Sequence, residues 1–454
     1  MPLPEESQDE TSRKALQYSA FYAGKVAMVP KVPVRSLDDF SIWYTPGVAA
    51  VSRAIEKDPD LSFEYTNRWN TIAVLTDGSR VLGLGDVGPE ASLPVMEGKA
   101  LIYKYLGGVD AVPIPVRVSS EDDFVTVAES LEPGLGGINL EDIASPRCFE
   151  ILERLRAKMN IPVWHDDQQG TAGVVLAALY NALELTGRDL GSARIVLFGS
   201  GAANIATARL LIEAGASAGE MVLVDSKGTL HSEREDIDQL LLRNRWKYEM
   251  ALKTNRSKLH GSLKDALVGA DVLVAAATPG PHTITAAEIS GMSHGAIAFL
   301  LSNPVPEMWP EEATKAGAAV VATGRSDFPN QVNNSVLFPG VFRGALDVRA
   351  RTISDTMVIA AARELADFAK KKGGLSPTNI IPTMLDWEVF PSVATVIGEQ
   401  AQREGLARKS RSRSELFDRA QRIIQQSRNL SSVLLEKGII APLPEDGLAE
   451  RGDF

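Results

Sequence analysis

The chain has 454 residues, of which 44% are hydrophobic and 23% charged, and its formal net charge is −11. This length predicts two or three domains, each able to bury its own core. The acidic balance argues against nucleic-acid and membrane-surface partners, because phosphate groups require a basic face. The single cysteine, Cys148, excludes an internal disulfide and fits a reducing compartment. The N-terminus is acidic and unlike a signal peptide, and no run approaches the ~20 apolar residues of a membrane span, so we expect a cytoplasmic protein.

The first third of the chain predicts an α/β domain. Roughly 15 N-terminal residues are expected to form a mobile arm, and a proline-rich extended segment then leads into a helix at YTPG. TIAVLTDGSRVLGLGDVG predicts two strands joined by a turn at Asp77-Gly78. PVMEGKALIYKYLGG predicts a helix opened by Pro94 and closed by Gly107-Gly108. The apolar runs VDAVPIPV and GGINL predict strands on either side of a further helix, and this alternation favours parallel pairing.

A dinucleotide-binding unit is predicted where ARIVLFGSGAANIATARLLIEAGA is followed by MVLVD. This is the order strand, glycine turn, helix, strand and acidic residue, in which the glycines let a helix N-terminus face a pyrophosphate. Asn204 stands where glycine or alanine is usual and is expected to alter the pyrophosphate geometry slightly. DVLVAAATPG, GAIAFLLSNP and AAVVATG predict three more strands of a doubly wound sheet. The candidate cofactor loop consists of Gly199, Ser200, Gly201, Ala202 and Ala203.

The residues after the second strand of this unit leave the choice between NAD and NADP open. Asp225 ends the strand and could bond both ribose hydroxyls, which favours NAD. Ser226 and Lys227 follow directly and could hold a 2′-phosphate, which favours NADP. The pattern therefore predicts a dinucleotide without identifying which one.

Two pairs of carboxylates follow predicted strands. Glu141-Asp142 comes after GGINL, and Asp166-Asp167 lies in WHDDQQGTAG, where an extended segment becomes a helix. Either pair alone could merely cap the helix that follows it. Together they offer oxygen ligands without a cysteine or histidine partner, which suits Mg²⁺ or Mn²⁺. Clustered carboxylates would repel one another without such an ion.

Lys99 is the candidate for an inward-facing cation. Val95, Lys99, Ile102 and Leu106 follow a four-three-four spacing, which places the lysine on an apolar stripe of its helix. A lysine directed into the protein needs a partner or a task, and a structural salt bridge is the alternative to a catalytic role. From the pattern alone, Tyr44 would be a buried aromatic and Arg80 an exposed charge beside a turn. Neither pattern by itself indicates a catalytic role.

The last part of the chain is predicted to be helical. Leu416, Ala420, Ile423 and Ile424 have helical spacing and follow the basic patch 408–413. A docking helix behind a solvated linker is favoured over a nucleic-acid contact. The expected fold class is α/β, with an N-terminal α/β substrate domain, a Rossmann-type doubly wound dinucleotide-binding domain and a helical C-terminal part. The expected bounds are residues 1–160 for the substrate and catalytic domain, 161–334 for the Rossmann domain, 335–408 for a helical segment that packs back on both, and 409–454 for a C-terminal extension.

Several stretches of the chain resemble malic enzymes, in particular the small bacterial type. The matching stretches are YTPGV, VLGLGDVGP, PVMEGKA, GGINLEDI, IPVWHDDQQGTA, LSNPVPE, ATGRSDFPNQVNN and FPGVFRGALD. They occur in order over most of the chain. The resemblance implies oxidative decarboxylation of L-malate to pyruvate and carbon dioxide, with NAD or NADP and Mg²⁺ or Mn²⁺.

The resemblance also implies roles for individual residues. Lys99 of EGKA matches the general base, and Tyr44 of YTPG matches the general acid. Asp166 matches the carboxylate that accompanies the lysine. In the implied reaction Lys99, held neutral by burial and its partner, takes the proton of the malate C2 hydroxyl, and Tyr44 protonates C3. The residues that match metal ligands are Glu141, Asp142 and Asp167, and those that match substrate contacts are Arg80, Asn303 and Asn334, with Asn303 also meeting the nicotinamide.

The chain departs from the family pattern at a few positions. Besides Asn204, Ser335 stands where an apolar residue is usual, and Arg80 stands where larger family members place a substrate-binding arginine that many small bacterial members lack. Two alternatives remain, a malolactic enzyme that releases lactate and a non-catalytic nucleotide sensor on the same fold. The family typically forms dimers or tetramers, so we expect a homodimer or homotetramer.

Overall fold

A computed structural model describes residues 4–444. Residues 1–3 of the predicted first domain and 445–454 of the predicted extension lie outside the described part. The N-terminal elements, in chain order, are α1 (Pro4–Tyr22), α2 (Leu37–Trp43), α3 (Val48–Lys57), α4 (Ser62–Tyr65), β1 (Thr71–Thr76), α5 (Gly88–Gly107), β2 (Asp110–Pro115), α6 (Glu121–Leu131), β3 (Gly137–Leu140), α7 (Arg147–Lys158) and β4 (Val163–His165).

The first sheet has four parallel strands in the order β2-β1-β3-β4. Residues 72–75 of β1 have no exposed surface, as expected for a parallel strand covered on both faces. β4 pairs with β3, so residues 163–165 belong to this sheet although they follow the predicted boundary at residue 160. The four predicted domain bounds stay predictions.

The predicted hairpin after β1 is wrong. β1 ends at Thr76, and residues 77–87 form a loop that contains an isolated bridge between Val81 and Gly85. Both edges of β1 are occupied, by β2 and β3. A strand that folded back after Asp77 would therefore have no free edge of β1 with which to pair.

Helices of the N-terminal region also begin earlier than predicted. α1 covers the residues expected to form a mobile arm, and α2 covers part of the segment expected to be extended. Asp38 and Asp39 in the first turn of α2 favour a helix through its dipole. α5 begins at Gly88 with Pro89 in its first turn, so Pro94 lies inside the helix rather than at its start.

The second sheet has six strands in the order β10-β9-β8-β5-β6-β7, all parallel except the β6–β7 pair. This confirms the predicted α/β class and its doubly wound second sheet. The elements are α8 (Thr171–Thr186), β5 (Ile195–Phe198), α9 (Ala202–Glu213), β6 (Met221–Asp225), β7 (Gly228–Thr229), α10 (Ile237–Arg243), α11 (Arg245–Lys253), α12 (Leu263–Leu267), β8 (Val272–Ala275), α13 (Ala286–Ser290), β9 (Ile297–Leu300), α14 (Pro310–Lys315) and β10 (Val320–Thr323).

In the described part of the chain, four further helices follow the second sheet and pack back against helices of both sheets. They are α15 (Phe338–Asp347), α16 (Asp355–Gly373), α17 (Val389–Arg403) and α18 (Arg413–Glu436). α16 lies against α8, and α18 lies against α5 and α17. Short 3₁₀ turns occur at Pro59–Leu61, Asn67–Trp69, Glu132–Gly134, Ala218–Glu220 and Asn334–Val336.

The predicted docking helix is confirmed in α18, whose Leu416, Ala420 and Ile424 are buried. The basic residues before it contact protein groups rather than standing free. Lys409 pairs with Glu64 at 3.1 Å, and the neighbouring arginines contact carboxylate or carbonyl oxygens. Between residues 4 and 444, no helix has the length and apolar character needed to cross a membrane.

Candidate active site

The two carboxylate pairs lie side by side at one edge of the first sheet. β3 and β4 are parallel, and Leu140 is paired with His165 in their register. The residues that follow, Glu141-Asp142 and Asp166-Asp167, therefore leave the sheet at neighbouring positions. This edge, outside the carboxyl ends of the strands, is where open α/β sheets bind ligands.

The residues from Asp166 to Gly170 form a π-helical turn that leads into α8. Turns of this kind occur frequently at functional sites. Trp164 Nε1 donates to Asp166 Oδ1 at 3.0 Å, and the backbone N–H of Asp142 donates to Asp167 Oδ2 at 2.9 Å. A side chain at Gly170 would collide with Asp166 Oδ1. The turn therefore fixes both carboxylates.

Lys99 reaches this edge from α5, and only 9% of its side chain is exposed. Its Nζ lies 2.5 Å from Asp166 Oδ2 and 2.9 Å from Glu141 Oε1, and 4.4 Å from the centre of the Phe338 ring. The predicted inward direction of Lys99 is confirmed by these contacts.

The charge state of Lys99 differs from the expected one. Burial alone would lower the pKa of Lys99, but the charges of Asp166 and Glu141 outweigh burial and raise it. The expectation of a lysine held neutral is therefore wrong for this arrangement of protein groups. Lys99 is held as a cation because it has two carboxylate partners rather than the single one expected.

Glu141, Asp142 and Asp167 form the candidate metal site. Each offers one oxygen, and these oxygens lie within 4.8 Å of one another. Asp142 Oδ2 is buried and has no hydrogen-bond partner among the described residues. Burial and the charge of Asp167 raise the pKa of Asp142 to about 8. Converging carboxylates with an unpartnered buried oxygen fit a hard divalent cation such as Mg²⁺ or Mn²⁺.

Tyr103 and Asn139 also belong to this cluster and were missed by sequence reasoning. The Tyr103 hydroxyl donates to Asn139 Oδ1 at 2.7 Å, and the Asn139 amide donates to Glu141 Oε2 at 2.8 Å. Burial, together with the nearby carboxylates, raises the pKa of Tyr103, so its hydroxyl stays protonated. Its position was available from the sequence, since Tyr103 follows Lys99 by one helical turn on the same face.

Tyr44 and Arg80 do not join this network through their side chains. Tyr44 follows α2 and is 71% exposed. It takes no part in the hydrogen bonds and ion pairs of Lys99 given above. The backbone N–H of Arg80 donates to the Asp142 carbonyl at 3.0 Å, but its side chain is exposed. Of these two residues, therefore, Arg80 contacts the cluster, and it does so through its backbone N–H.

The two asparagines predicted to meet substrate lie where the domains adjoin. A Cβ on Gly83, in the loop after β1, would lie 2.7 Å from the Asn303 carbonyl oxygen. A Cβ on Gly170 would lie 3.1 Å from the Cβ atom of Asn334. Asn303 therefore lies beside the loop after β1, and Asn334 beside the π-helical turn.

The glycine turn between β5 and α9 has the shape of a dinucleotide loop. Gly199 has a φ of 91°, and a Cβ there would collide with the Ala276 carbonyl oxygen. Gly201 has open space where a side chain would project. The Ser200 hydroxyl donates to the Val224 carbonyl at 3.3 Å, and Ala202 and Ala203 form the first turn of α9. An open helix N-terminus of this kind fits a pyrophosphate.

Asn204 stabilises this turn rather than disturbing it. Its amide donates to the Phe198 carbonyl at 2.8 Å and to the Gly199 carbonyl at 2.9 Å. The expectation that Asn204 alters the loop came from the size of its side chain. That side chain is buried, and its amide also donates to the Val274 carbonyl of β8 at 3.3 Å, so the turn gains fixed partners.

Asp225 ends β6 among cations. Its Oδ1 accepts from the Lys227 backbone N–H at 2.8 Å and from Arg234 Nη1 at 3.0 Å, and its Oδ2 pairs with Lys247. Burial alone would raise the pKa of Asp225, but Lys247 and the other donors lower it. Lys227 Nζ pairs with Asp236 at 2.8 Å. Ser226, predicted with Lys227 to hold a phosphate, is exposed, while Arg234 and Lys247 were not predicted.

The fold and these two sites define a dinucleotide-binding α/β oxidoreductase, in which a buried lysine and converging carboxylates lie beside the nucleotide domain. Residues 23–156 match the family described as malic enzyme, N-terminal domain, and residues 168–402 match malic enzyme, NAD binding domain. The chain belongs to the malic enzyme family.

Curated relatives and solved structures agree with this assignment. A bifunctional malic/malolactic enzyme of Bacillus subtilis is 44% identical over 410 residues, which cover 90% of this chain and 98% of the relative. An NADP-dependent malic enzyme of Halomonas elongata is 40% identical, covering 88% of this chain and 96% of the relative. The crystal structure of Entamoeba histolytica malic enzyme is 44% identical with a TM-score of 0.93, covering 98% of this chain and 93% of that one.

Proposed function

We propose that this malic enzyme catalyses the oxidative decarboxylation of L-malate to pyruvate and carbon dioxide, with reduction of NAD or NADP. The observation that carries the proposal is the contact of Lys99 with Asp166 and Glu141, next to the converging oxygens of Asp142 and Asp167. A buried cation and a set of hard oxygen ligands suit a dianionic 2-hydroxy acid, because together they make the site locally positive in an acidic protein.

In the proposed reaction, Lys99 removes the proton from the C2 hydroxyl while the C2 hydride is transferred. Asp166 and Glu141 hold Lys99 as a cation, so Lys99 must first pass one proton to Asp166, whose Oδ2 lies 2.5 Å from its Nζ. Glu141, Asp142 and Asp167 would hold Mg²⁺ or Mn²⁺, which supplies polarisation of the C2 oxygen and stabilises the charge left when carbon dioxide departs. With Glu141 engaged as a ligand, Asp166 orients the base.

The residues proposed to contact the substrate are assigned by resemblance and by position. Arg80, Asn303 and Asn334 are assigned to malate or the nicotinamide by resemblance, and their positions beside the cluster support this. Tyr44 stays the proposed acid that protonates C3. Because its ring is exposed, this role requires the α2–α3 region to move over the cluster or to be covered by another protomer.

The direct test is to incubate the purified protein with L-malate, Mn²⁺ or Mg²⁺, and NAD or NADP in turn, and to assay reduced cofactor, pyruvate and lactate. Stoichiometric pyruvate and reduced cofactor, absent when the metal is chelated, would support the proposal. Binding of cofactor without any turnover of malate would instead support a nucleotide sensor.

The second candidate is a malolactic reaction, in which lactate leaves and the cofactor returns to its starting state. It is considered because the Bacillus subtilis relative, 44% identical to this chain, is a bifunctional malic/malolactic enzyme. Lactate formed without net reduced cofactor in the same assay would assign this reaction.

We also propose that the protein is a cytoplasmic homodimer or homotetramer. Support for association comes from an N-terminal apolar surface formed by exposed side chains of α2, of α3 and of Tyr44 between them. These are Phe40, Ile42, Trp43, Tyr44, Val48 and Val51. Large apolar side chains exposed within one short segment favour an interaction site, and the buried, unpaired Cys148 is consistent with a reducing compartment. Light scattering at several protein concentrations would measure the oligomeric state.

A further inference from the structure

The end of β6 bears on which dinucleotide the proposed reaction uses. In dinucleotide-binding folds, a carboxylate at this position discriminates for NAD by accepting hydrogen bonds from ribose hydroxyls. It also repels the 2′-phosphate of NADP. Both effects require that the carboxylate be free, and in this chain Asp225 is not.

Asp225 has few acceptor positions left. An ionised carboxylate offers about four acceptor sites, and here three donors already occupy it, namely the Lys227 backbone, Arg234 and Lys247. Only 8% of its side chain is exposed. Recognition of a ribose diol needs two acceptor positions, so Asp225 cannot bind the diol without giving up one of its protein partners.

The charge of Asp225 is also cancelled. Arg234 and Lys247 are themselves largely buried, with 7% and 17% of their side chains exposed. They are therefore held against Asp225 rather than solvated elsewhere. Asp236 is the second carboxylate of the group and is shared between Arg234 and Lys227. The three cations and two carboxylates leave this group with a net positive charge.

Lys227 is the group that can move. Its side chain is 60% exposed, in contrast to those of Arg234 and Lys247. Its ammonium pairs with Asp236, and Asp236 keeps the Arg234 contact at 2.8 Å if Lys227 turns away. Lys227 can therefore pair with an added anion without leaving an unpartnered carboxylate behind.

We infer that this enzyme binds NADP in preference to NAD. Arg234 and Lys247 are the specificity-determining residues, because they neutralise Asp225, and Lys227 contacts the 2′-phosphate. The inference rests on the proposed NAD(P)-dependent function of the same loop. In the sequence, Asp225 favours NAD and Lys227 favours NADP. The contacts of Asp225 decide between them in favour of NADP.

The first test compares 2′,5′-ADP with 5′-ADP, which differ only in the 2′-phosphate and involve no turnover. Calorimetric titration of the full chain should give an affinity for 2′,5′-ADP higher by about tenfold or more, the effect of one charge-assisted contact. The difference should shrink as salt is added. Equal affinities, or tighter binding of 5′-ADP, would overturn the inference.

The second test uses variants and the fluorescence of bound NADH and NADPH. Arg234→Gln and Lys247→Gln should each lower the affinity for NADPH by about tenfold and the affinity for NADH by much less, because they expose the charge of Asp225. Asp225→Asn should leave NADH binding nearly unchanged and strengthen NADPH. A tenfold loss of NADH affinity in Asp225→Asn would show that Asp225 is the ribose acceptor and would refute the inference.

The controls separate charge from folding and from the proposed function. Lys258→Met removes a lysine that pairs with exposed Glu233 outside this group, so both affinities should change little and equally. Lys227→Met alters an exposed side chain and should weaken NADPH selectively even if Arg234→Gln fails to fold. If the wild type binds NADH more tightly than NADPH, the inference is overturned and the proposed function still stands. Failure to bind either would overturn the proposed function with it.

Discussion

Lys99 is the residue on which the proposed chemistry depends. It is buried, lies on α5 and contacts two carboxylates at hydrogen-bond distance. A lysine with this environment can be an ion-pair partner that stabilises the fold or a base that exchanges a proton with substrate. Its position beside the three converging carboxylate oxygens favours the second role, since a purely structural pair has no use for an unpartnered oxygen on Asp142.

Replacing Lys99 separates these two roles. Lys99→Met should lower kcat for malate oxidation by about 10²–10⁴-fold, the usual contribution of a positioned acid–base group, while NADPH binding persists. Lys104→Met is the matched control, because Lys104 lies on the same helix and pairs with Asp110 outside the cluster at 2.6 Å. Near-normal turnover in Lys99→Met would remove Lys99 from the mechanism.

The adjacent carboxylates Asp166 and Asp167 should differ in phenotype. Asp167→Asn loses a charged metal ligand, so the Mn²⁺ concentration for half-maximal activity should rise by about tenfold or more. Asp166→Asn loses the carboxylate nearest Lys99 and should lower kcat with little change in the metal requirement. Metal titrations of both variants, at saturating malate and cofactor, measure the two quantities. The same phenotype in both would show that the division of roles is wrong.

At the scale of elements, the five residues of the π-helical turn position several groups of the candidate active site. It joins β4 to α8, holds both carboxylates and lies beside Asn334. Gly170 is the point at which this arrangement tolerates no side chain, because a Cβ would collide with Asp166 Oδ1. Backbone packing thus positions the partner of Lys99.

Gly170→Ala should therefore displace Asp166. Overpacking of this kind costs about 1–3 kcal/mol, so the melting temperature should fall, and kcat for malate should fall with NADPH binding retained. Gly134→Ala is the control, since a Cβ at Gly134 would meet nothing within 4 Å. The role given to the turn is contradicted if Gly170→Ala keeps wild-type kcat.

The elements that were predictable from the sequence are those whose pattern reflects burial. Five strands of the second sheet lie where the sequence has apolar runs between turns, namely β5, β6, β8, β9 and β10. The predicted hairpin after β1 was wrong because a pattern of apolar residues does not say which strands take its edges. The start of α5 was wrong because Pro89 and Pro94 both suit a first turn, and only the folded chain shows which one is used.

For the site, residue types were predictable and their charge states were not. Lys99 and the carboxylates were identified because helical spacing and strand ends are local features. The second partner of Lys99, the Tyr103–Asn139 contact, and the pairing of Asp225 with Arg234 and Lys247 depend on residues brought together by the fold. Sequence reasoning therefore found which groups are present but not what each is already bound to.

At the scale of the whole molecule, the position of Tyr44 connects association to chemistry. Tyr44 lies within the N-terminal apolar surface, next to Ile42 and Trp43, and its ring is exposed. A side chain so placed cannot act as an acid in a water-excluded site until this surface is covered. Covering the surface by a second copy of the chain would remove its apolar side chains from water and place Tyr44 in an interface.

Ile42→Asp tests this connection, because it places a charge within the N-terminal apolar surface. Burying an unpaired carboxylate is costly, so light scattering should show a shift towards monomers, and malate turnover should fall in parallel while NADPH binding remains. Leu242→Asp is the control, since Leu242 is 87% exposed on α10, away from this surface. A wild type that is monomeric while active, or an Ile42→Asp monomer with full turnover, would show that Tyr44 reaches the cluster within one chain.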